Sequence, residues 1–376
     1  MQIKSDVTEG GAQSMSEKAA DRIETQIVTV NSHQPEPELI ARAGDVIRSG
    51  GTCAFPTETV YGLGADGLND AAVRKIFKAK GRPGDNPLIL HIAEPAQIRR
   101  LTDELPEKAE RLAQAFWPGP LTMIVRHSAV VPRAATAGLE TVGVRCPSNR
   151  VANALIRSAG TPIAAPSANL SGSPSPTTGE HVVRDLDGRV DMILMSDDSE
   201  IGVESTVVNM TLDPPVILRP GRITKDDLEA VIGPVLLSEG ITSGAAPEHP
   251  ASPGMKYTHY SPRAEVYLAE GTPEEMYRQI MEAAGNGTSG INGVLTTGDS
   301  QVSSAFLEQQ RKDLTVLSLG DNPRDYEHNL FTALRDLDDA GASRIFVMLP
   351  QAADDTLAVR DRLMHSAGYR FLPKKA

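Results

Sequence analysis

The stretch "IFKAKGRPGDNPLILHI" (Ile76–Ile92) passes from a helical pattern into an apolar, strand-like run across a single glycine. Upstream, "NDAAVRKIFKAK" predicts a helix capped by Asn69 or Asp70, and Gly81 suits the left-handed position just past its end. Downstream, "PLILHI" predicts a strand. Lys80 closes the helix, where a cation complements the negative end of the helix dipole. Arg82 lies beyond the helix beside Pro83, with Asp85 as its ordinary alternative partner. A lysine point charge next to an arginine fork also suits a polyphosphate. The stretch therefore reads either as a capped helix end or as an anion clamp.

The same alternation extends over residues 36–232. "LIARAGDVIRSGG" reads as a helix closed by glycine, and helices are expected around 107–116 and 148–158. "TCAFP", "LTMIVR", "TVGVRC", "PIAAPS", "DMILM", "STVVNM" and "PVILR" read as strands, giving a mixed α/β domain with many strands. Residues 238–262 are rich in Gly, Ser, Pro and Ala, a linker of about 25 residues. The linker or lid is bounded at 233–262. Residues 263–376 hold four further strand candidates separated by helical stretches, a smaller Rossmann-like parallel α/β domain. Residues 1–35 read as a disordered polar extension, within which Met15 offers an alternative start.

A length of 376 residues suits two domains or three. The net charge of −12 and an aromatic content of 4% weigh against stable nucleic acid binding, which wants clustered cations and stacking rings. Cys53 and Cys146 read as buried reduced thiols; with no CxxC and no Cys/His cluster, no structural zinc is indicated, and a reducing cytoplasm fits. There is no secretory apolar segment and no run of 18 apolar residues, so no membrane span is expected.

Several polar loops follow strands. "GLGADG" (Gly62–Gly67) matches a dinucleotide fingerprint, but "PTETVY" separates it from the preceding strand, so its glycines read as a tight turn and close packing. Phosphate-loop, nucleophile-elbow and zinc-protease motifs are absent. "PTET" (56–59), "APSANLSGSPSPTT" (165–178), "VESTVV" (203–208) and "ILRPGR" (217–222) each place hydroxyls or an arginine at a strand end. Together they predict a pocket lined by hydroxyls and by Lys80, Arg82, Arg145 and Arg219. His91, taken alone, reads as structural.

In order, "FPTETVYGLGAD", "KAKGRPGDNPLILHI", "FWPGPLT", "VGVRCPS", "APSANLSG", "ESTVV" and "ILRPG" resemble the threonylcarbamoyl-AMP synthase family, whose catalytic unit is the YrdC-like domain. The K-x-R and S-x-N signatures stand as Lys80/Arg82 and Ser167/Asn169. The linker phrase "SPGMKYTHYSP" and the domain after it resemble the longer, two-domain form. The resemblance implies that L-threonine, bicarbonate and ATP, with Mg2+ arriving on ATP, give threonylcarbamoyl-adenylate and pyrophosphate. The product would pass to the machinery that makes threonylcarbamoyladenosine beside the anticodon of tRNAs.

By residue-wise carry-over, Lys80 and Arg82 would hold the triphosphate. Arg82, Asn86, Thr141, Ser167, Ser175 and Arg219 would contact ATP, with Asn169 orienting the S-x-N loop. Thr59, His91, Arg145 and Ser205 would hold threonine, and Tyr257, His259 and Tyr260 would belong to a lid. Asn86 stands where other members carry lysine. An RNA-binding module and an NAD-dependent enzyme are the competing readings; net charge opposes the first and the displaced glycines oppose the second.

Overall fold

The computed structural model describes residues 23–243, 260–285, 290–298, 300–308 and 311–374. The first domain is built on an 11-stranded mixed sheet, ordered β1-β8-β2-β3-β7-β4-β6-β5-β9-β10-β11. Its strands are β1 (Gln26–Thr29), β2 (Cys53–Phe55), β3 (Gly62–Asp66), β4 (Ile89–His91), β5 (Leu121–Arg126), β6 (Thr141–Arg145), β7 (Ile163–Ala165), β8 (Met192–Met195), β9 (Thr206–Asn209), β10 (Val216–Arg219) and β11 (Leu236–Leu237). Helices α1 (Pro37–Arg48), α2 (Asp70–Lys80), α3 (Glu107–Phe116), α4 (Arg150–Ala159), α5 (Gly179–Leu186) and α6 (Lys225–Ile232) accompany them.

The sheet is buried on both faces because successive side chains point to opposite sides of a strand. Cys53 and Phe55 join one apolar cluster with α1 and α4, while Ala54 between them joins the other with α2 and α3. α2 starts where Asn69 Oδ1 accepts from the Ala71 and Ala72 amides, and ends at Gly81 with φ 63°.

Three expectations need correction. "GLGADG" is not a tight turn: Gly62–Asp66 is the interior strand β3, between β2 and β7. The close packing is real, since a Cβ on Gly64 would lie 2.5 Å from Ile163 Cγ2 and 2.7 Å from Phe55 Cε1. The extension assigned to residues 1–35 includes β1, which pairs in parallel with β8 from Gln26↔Met192 to Thr29↔Met195. Its pattern is inconspicuous because it is an edge strand with mostly exposed side chains. Within the segment assigned to the linker, Leu236–Leu237 extends the sheet beside β10.

The second domain has the expected parallel sheet, four-stranded and ordered β12-β15-β13-β14. It comprises β12 (Glu265–Ala269), α7 (Pro273–Gly285), β13 (Ile291–Thr296), α8 (Ser300–Glu308), β14 (Leu314–Ser318), α9 (Pro323–Asp339), β15 (Ala342–Met348) and α10 (Leu357–Ala367). Val266 and Leu268 face one apolar cluster and Ala269 the other, as in a sheet covered on both sides.

The two domains share a core. Val60, Ile201 and Val203 of the first pack in one cluster with Leu330, Phe331 and Leu334 of α9. Gly202 (φ 88°) lies against α9, where a Cβ would come within 2.4 Å of the Glu327 carbonyl oxygen. Buried ion pairs cross the same boundary: Arg335 grips Asp185 with contacts of 3.1 and 2.8 Å, and Arg362 meets Glu204 at 2.9 Å.

Candidate active site

The chain's polar loops converge on one cavity of the first domain. Register does much of this: His91 and Arg145 are partners across parallel β4 and β6, and Thr122 is opposite Arg145 on antiparallel β5. Ser205 precedes β9 and Arg219 ends β10, which brings both to the same rim. Thr59, His91, Arg145 and Ser205 all line the cavity, as do Arg82, Ser167, Asn169 and Arg219.

Arg145 is buried, and its Nη1 donates to Thr59 Oγ1 at 2.8 Å. Its Nη2 lies 2.7 Å from Glu58 Oε1, an ion pair without hydrogen-bond geometry. The Nε and Nη2 of Arg145 therefore make no hydrogen bond among the described residues. Beside it, Thr122 and Ser205 share a hydroxyl contact of 2.7 Å, and Arg219 donates to the Ser205 carbonyl at 3.1 Å and hydroxyl at 3.2 Å.

His91 is buried, with Nδ1 3.2 Å from the Ile89 carbonyl oxygen. Burial, reinforced by the Arg145 guanidinium, pushes its pKa down to about 3, so the ring is neutral.

The helix end named by the sequence has a third role. Lys80 is buried, and its Nζ donates to the Ser167 carbonyl at 2.5 Å and the Asn169 carbonyl at 2.6 Å. It also lies 3.4 Å from Asn169 Oδ1. Burial and the adjacent Arg82 guanidinium press its pKa well below the ordinary lysine value. Lys80 thus underpins the S-x-N loop, and Arg82 alone of the pair lines the cavity. Asn169 completes the loop, accepting from Ser167 Oγ at 2.5 Å and donating to the Leu170 and Ser173 carbonyls.

Three expected ATP contacts do not line the cavity. Thr141 opens β6 opposite Arg126, four residues before Arg145. At the usual strand rise that is roughly 13 Å from the rim. Ser175 is fully buried one layer behind, with its hydroxyl donating to Glu204 Oε1. Asn86 is fully buried, and its amide makes no hydrogen bond among the described residues.

Glu204 and Tyr260 line the cavity without having been singled out as ligand contacts from motif chemistry. Glu204 sits in "VEST" next to Ser205, a signal that adjacency could have raised. Tyr260 has φ 64° and packs on Phe331 at 5.3 Å between ring centroids; its neighbour Ser261 donates its amide to the Gly172 carbonyl. Tyr257 and His259 lie outside the described residues. No helix among the described residues is long and apolar enough to cross a membrane, and none of their His, Cys, Asp and Glu side chains group in threes as metal ligands.

The family profile described as "Telomere recombination" matches residues 45–221, and that described as "Threonylcarbamoyl-AMP synthase, C-terminal domain" matches residues 223–368. The chain is 46% identical to the threonylcarbamoyl-AMP synthase of Bacillus subtilis, over 89% of this chain and 94% of that one. It is 37% identical to the Schizosaccharomyces pombe threonylcarbamoyl-AMP synthase, over 85% of each. The crystal structure of P. abyssi Sua5 complexed with L-threonine superposes with a TM-score of 0.86 at 43% identity, covering 93% of this chain and 99% of that one.

Proposed function

The chain belongs to the threonylcarbamoyl-AMP synthase family in its two-domain form, and from that premise we propose how its cavity carries out the family's reaction. The activity is synthesis of threonylcarbamoyl-AMP, a nucleotidyl transfer that serves tRNA modification. The threonine amine takes up the bicarbonate carbon with loss of water. A carbamate oxygen then attacks the α-phosphorus of ATP, and pyrophosphate leaves.

The observation that carries the residue assignment is the buried Arg145 guanidinium in the cavity wall: Nη2 is ion-paired to Glu58, while Nε makes no hydrogen bond among the described residues and would gain an acceptor from a substrate carboxylate. We therefore assign Arg145 to the threonine carboxylate, with Thr59, Ser205 and neutral His91 shaping the rest of that subsite. Because His91 stays uncharged, it positions the amino acid without adding a competing cation.

ATP lies alongside, with Arg219 next to Ser205 where the two subsites meet. Arg82 and Arg219 neutralise phosphate charge, and the Ser167–Asn169 loop, held from below by Lys80, orients the α-phosphate. Asn86, whose buried amide makes no hydrogen bond among the described residues, remains an ATP contact in this reading. Thr141, at the other end of β6, would meet only the far end of the nucleotide, and Ser175 acts through Glu204. Mg2+ enters as part of the ATP substrate. The product goes to a tRNA threonylcarbamoyl-transfer machinery, and the two free buried thiols suit a cytoplasmic setting.

The test is pyrophosphate release by purified protein from ATP and Mg2+, with threonine and bicarbonate omitted in turn. Release that requires both is expected. Release with neither would make the protein a plain ATP pyrophosphohydrolase.

A further inference from the structure

Glu204 is a negative charge in the wall of a cavity that must accept a triphosphate. It is also buried. Burial alone would push its pKa up, but the Arg362 and Arg219 guanidiniums and the Ser175 hydroxyl outweigh that and hold it below the ordinary glutamate value. An uncompensated carboxylate there would repel ATP, since low-dielectric surroundings strengthen like-charge interaction.

The compensating cation comes from the other domain. Arg362, on α10, is completely buried, and its Nε donates to Glu204 Oε2 at 2.9 Å. Its Nη1 donates to the Pro220 carbonyl at 2.9 Å and to Asp361 Oδ2 at 2.8 Å; its Nη2 lies 3.4 Å from the Glu204 carbonyl oxygen. The Tyr260 ring lies 5.7 Å from the guanidinium carbon. Asp361, with the His365 ring 3.6 Å from its Oδ1, braces the fork from behind, and Glu204 takes its front. The second Glu204 oxygen accepts from Ser175, at the far end of the loop that carries Ser167 and Asn169.

We propose that Arg362 is a positioning residue for synthesis: the C-terminal domain uses it to cancel and orient Glu204, making the cavity wall acceptable to the ATP phosphates. The proposal rests on the family reading for the identity of the anion, but it assigns the C-terminal domain an electrostatic task in the pocket. Arg335 makes a comparable buried crossing to Asp185 and Pro174, but Asp185 accepts from the Leu170 amide, so this pair joins docking to the loop that carries Ser167 and Asn169 and leaves Glu204 untouched.

The experiment compares full-length wild type, R362M, R335M, E204Q and the E204Q/R362M double variant. It measures Mg·ATP binding by titration, threonine and ATP KM values, and thermal midpoints. R362M is expected to weaken ATP binding at least tenfold while the threonine KM moves less than twofold. The double variant should recover most of that loss, because the carboxylate that lines the cavity is then neutral; Asp361, which does not line it, loses Arg362 in both variants. R335M should lower the thermal midpoint, and any ATP loss it causes should not be recovered in the E204Q background, unlike that of R362M.

ATP and threonine constants that move together in R362M, or a double variant no better than the single, would overturn the proposal. If R362M does not fold, the comparison passes to the E204Q background. There R362M must change the ATP constant less than threefold, and a tenfold change refutes the assignment. Wild type that releases no pyrophosphate would count against the reaction, whereas the ATP titration needs no turnover and still decides the role of Arg362.

Discussion

The end of β6 and the end of α2 each place a buried cation at the edge of a motif, yet the two cations do different work. Arg145 lines the cavity, held by the Glu58 and Thr59 side chains, whereas Lys80 turns under the S-x-N loop and gives its amino group to backbone oxygens. Both are buried, so burial does not separate a cavity-lining cation from a scaffold cation. What separates them is which acceptors hold the charge: cavity-wall side chains for Arg145, loop carbonyls for Lys80.

Substitution at the two ends should expose that difference. Arg145→Ala is expected to have the largest effect: it removes the proposed carboxylate site and leaves Glu58 as an unpaired buried charge, a loss of about 3–5 kcal/mol. Steady-state kinetics should show kcat/KM for threonine down by more than about 100-fold. Activity within tenfold of wild type would move the amino acid elsewhere. Lys80→Ala should reduce synthesis by roughly 10–100-fold, expressed mainly in ATP terms, because the loop loses its internal donor. A lowered thermal midpoint with intact activity would return Lys80 to a plain helix cap.

The strand partner of Arg145 offers a subtler probe. His91 has a folded pKa of about 3 against an ordinary value of 6.5, so the unfolded chain binds the extra proton between those limits. Its contribution to stability is complete above pH 6.5 and is lost progressively as the pH falls toward 3. The loss is about 2 kcal/mol at pH 5. Denaturant titrations of wild type and His91→Gln at pH 7 and 5 should differ by that amount in their pH dependence. Equal slopes would mean that His91 is already protonated or solvated. The smallest effect belongs to Thr141→Val, expected to change ATP kinetics by less than about twofold and stability by under ~0.5 kcal/mol. A tenfold rise in the ATP KM would put Thr141 back in the site.

The cavity lining was readable where polar side chains sit on strand ends. His91, Arg145, Ser205 and Arg219 each follow or precede a short apolar run, and regular pairing gathers such ends at one rim. Thr141 shares a strand with Arg145 but sits at its opposite end. "GLGADG" misled in another way. Glycine is a turn signal by composition, but here it is needed because Phe55 and Ile163 crowd the strand face.

The sequence by itself determined the two α/β layers, the bounds of α2 through Asn69 and Gly81, and the polar motifs that meet in the cavity. Those are local properties, written in the periodicity and capping chemistry of one element at a time. Only the tertiary structure decided that Lys80 faces the loop and that Glu204 is answered by Arg362, 158 residues later in the chain. A hydrogen bond is settled within about 3 Å, and no pattern inside a single helix or strand records which distant side chain will arrive at that distance.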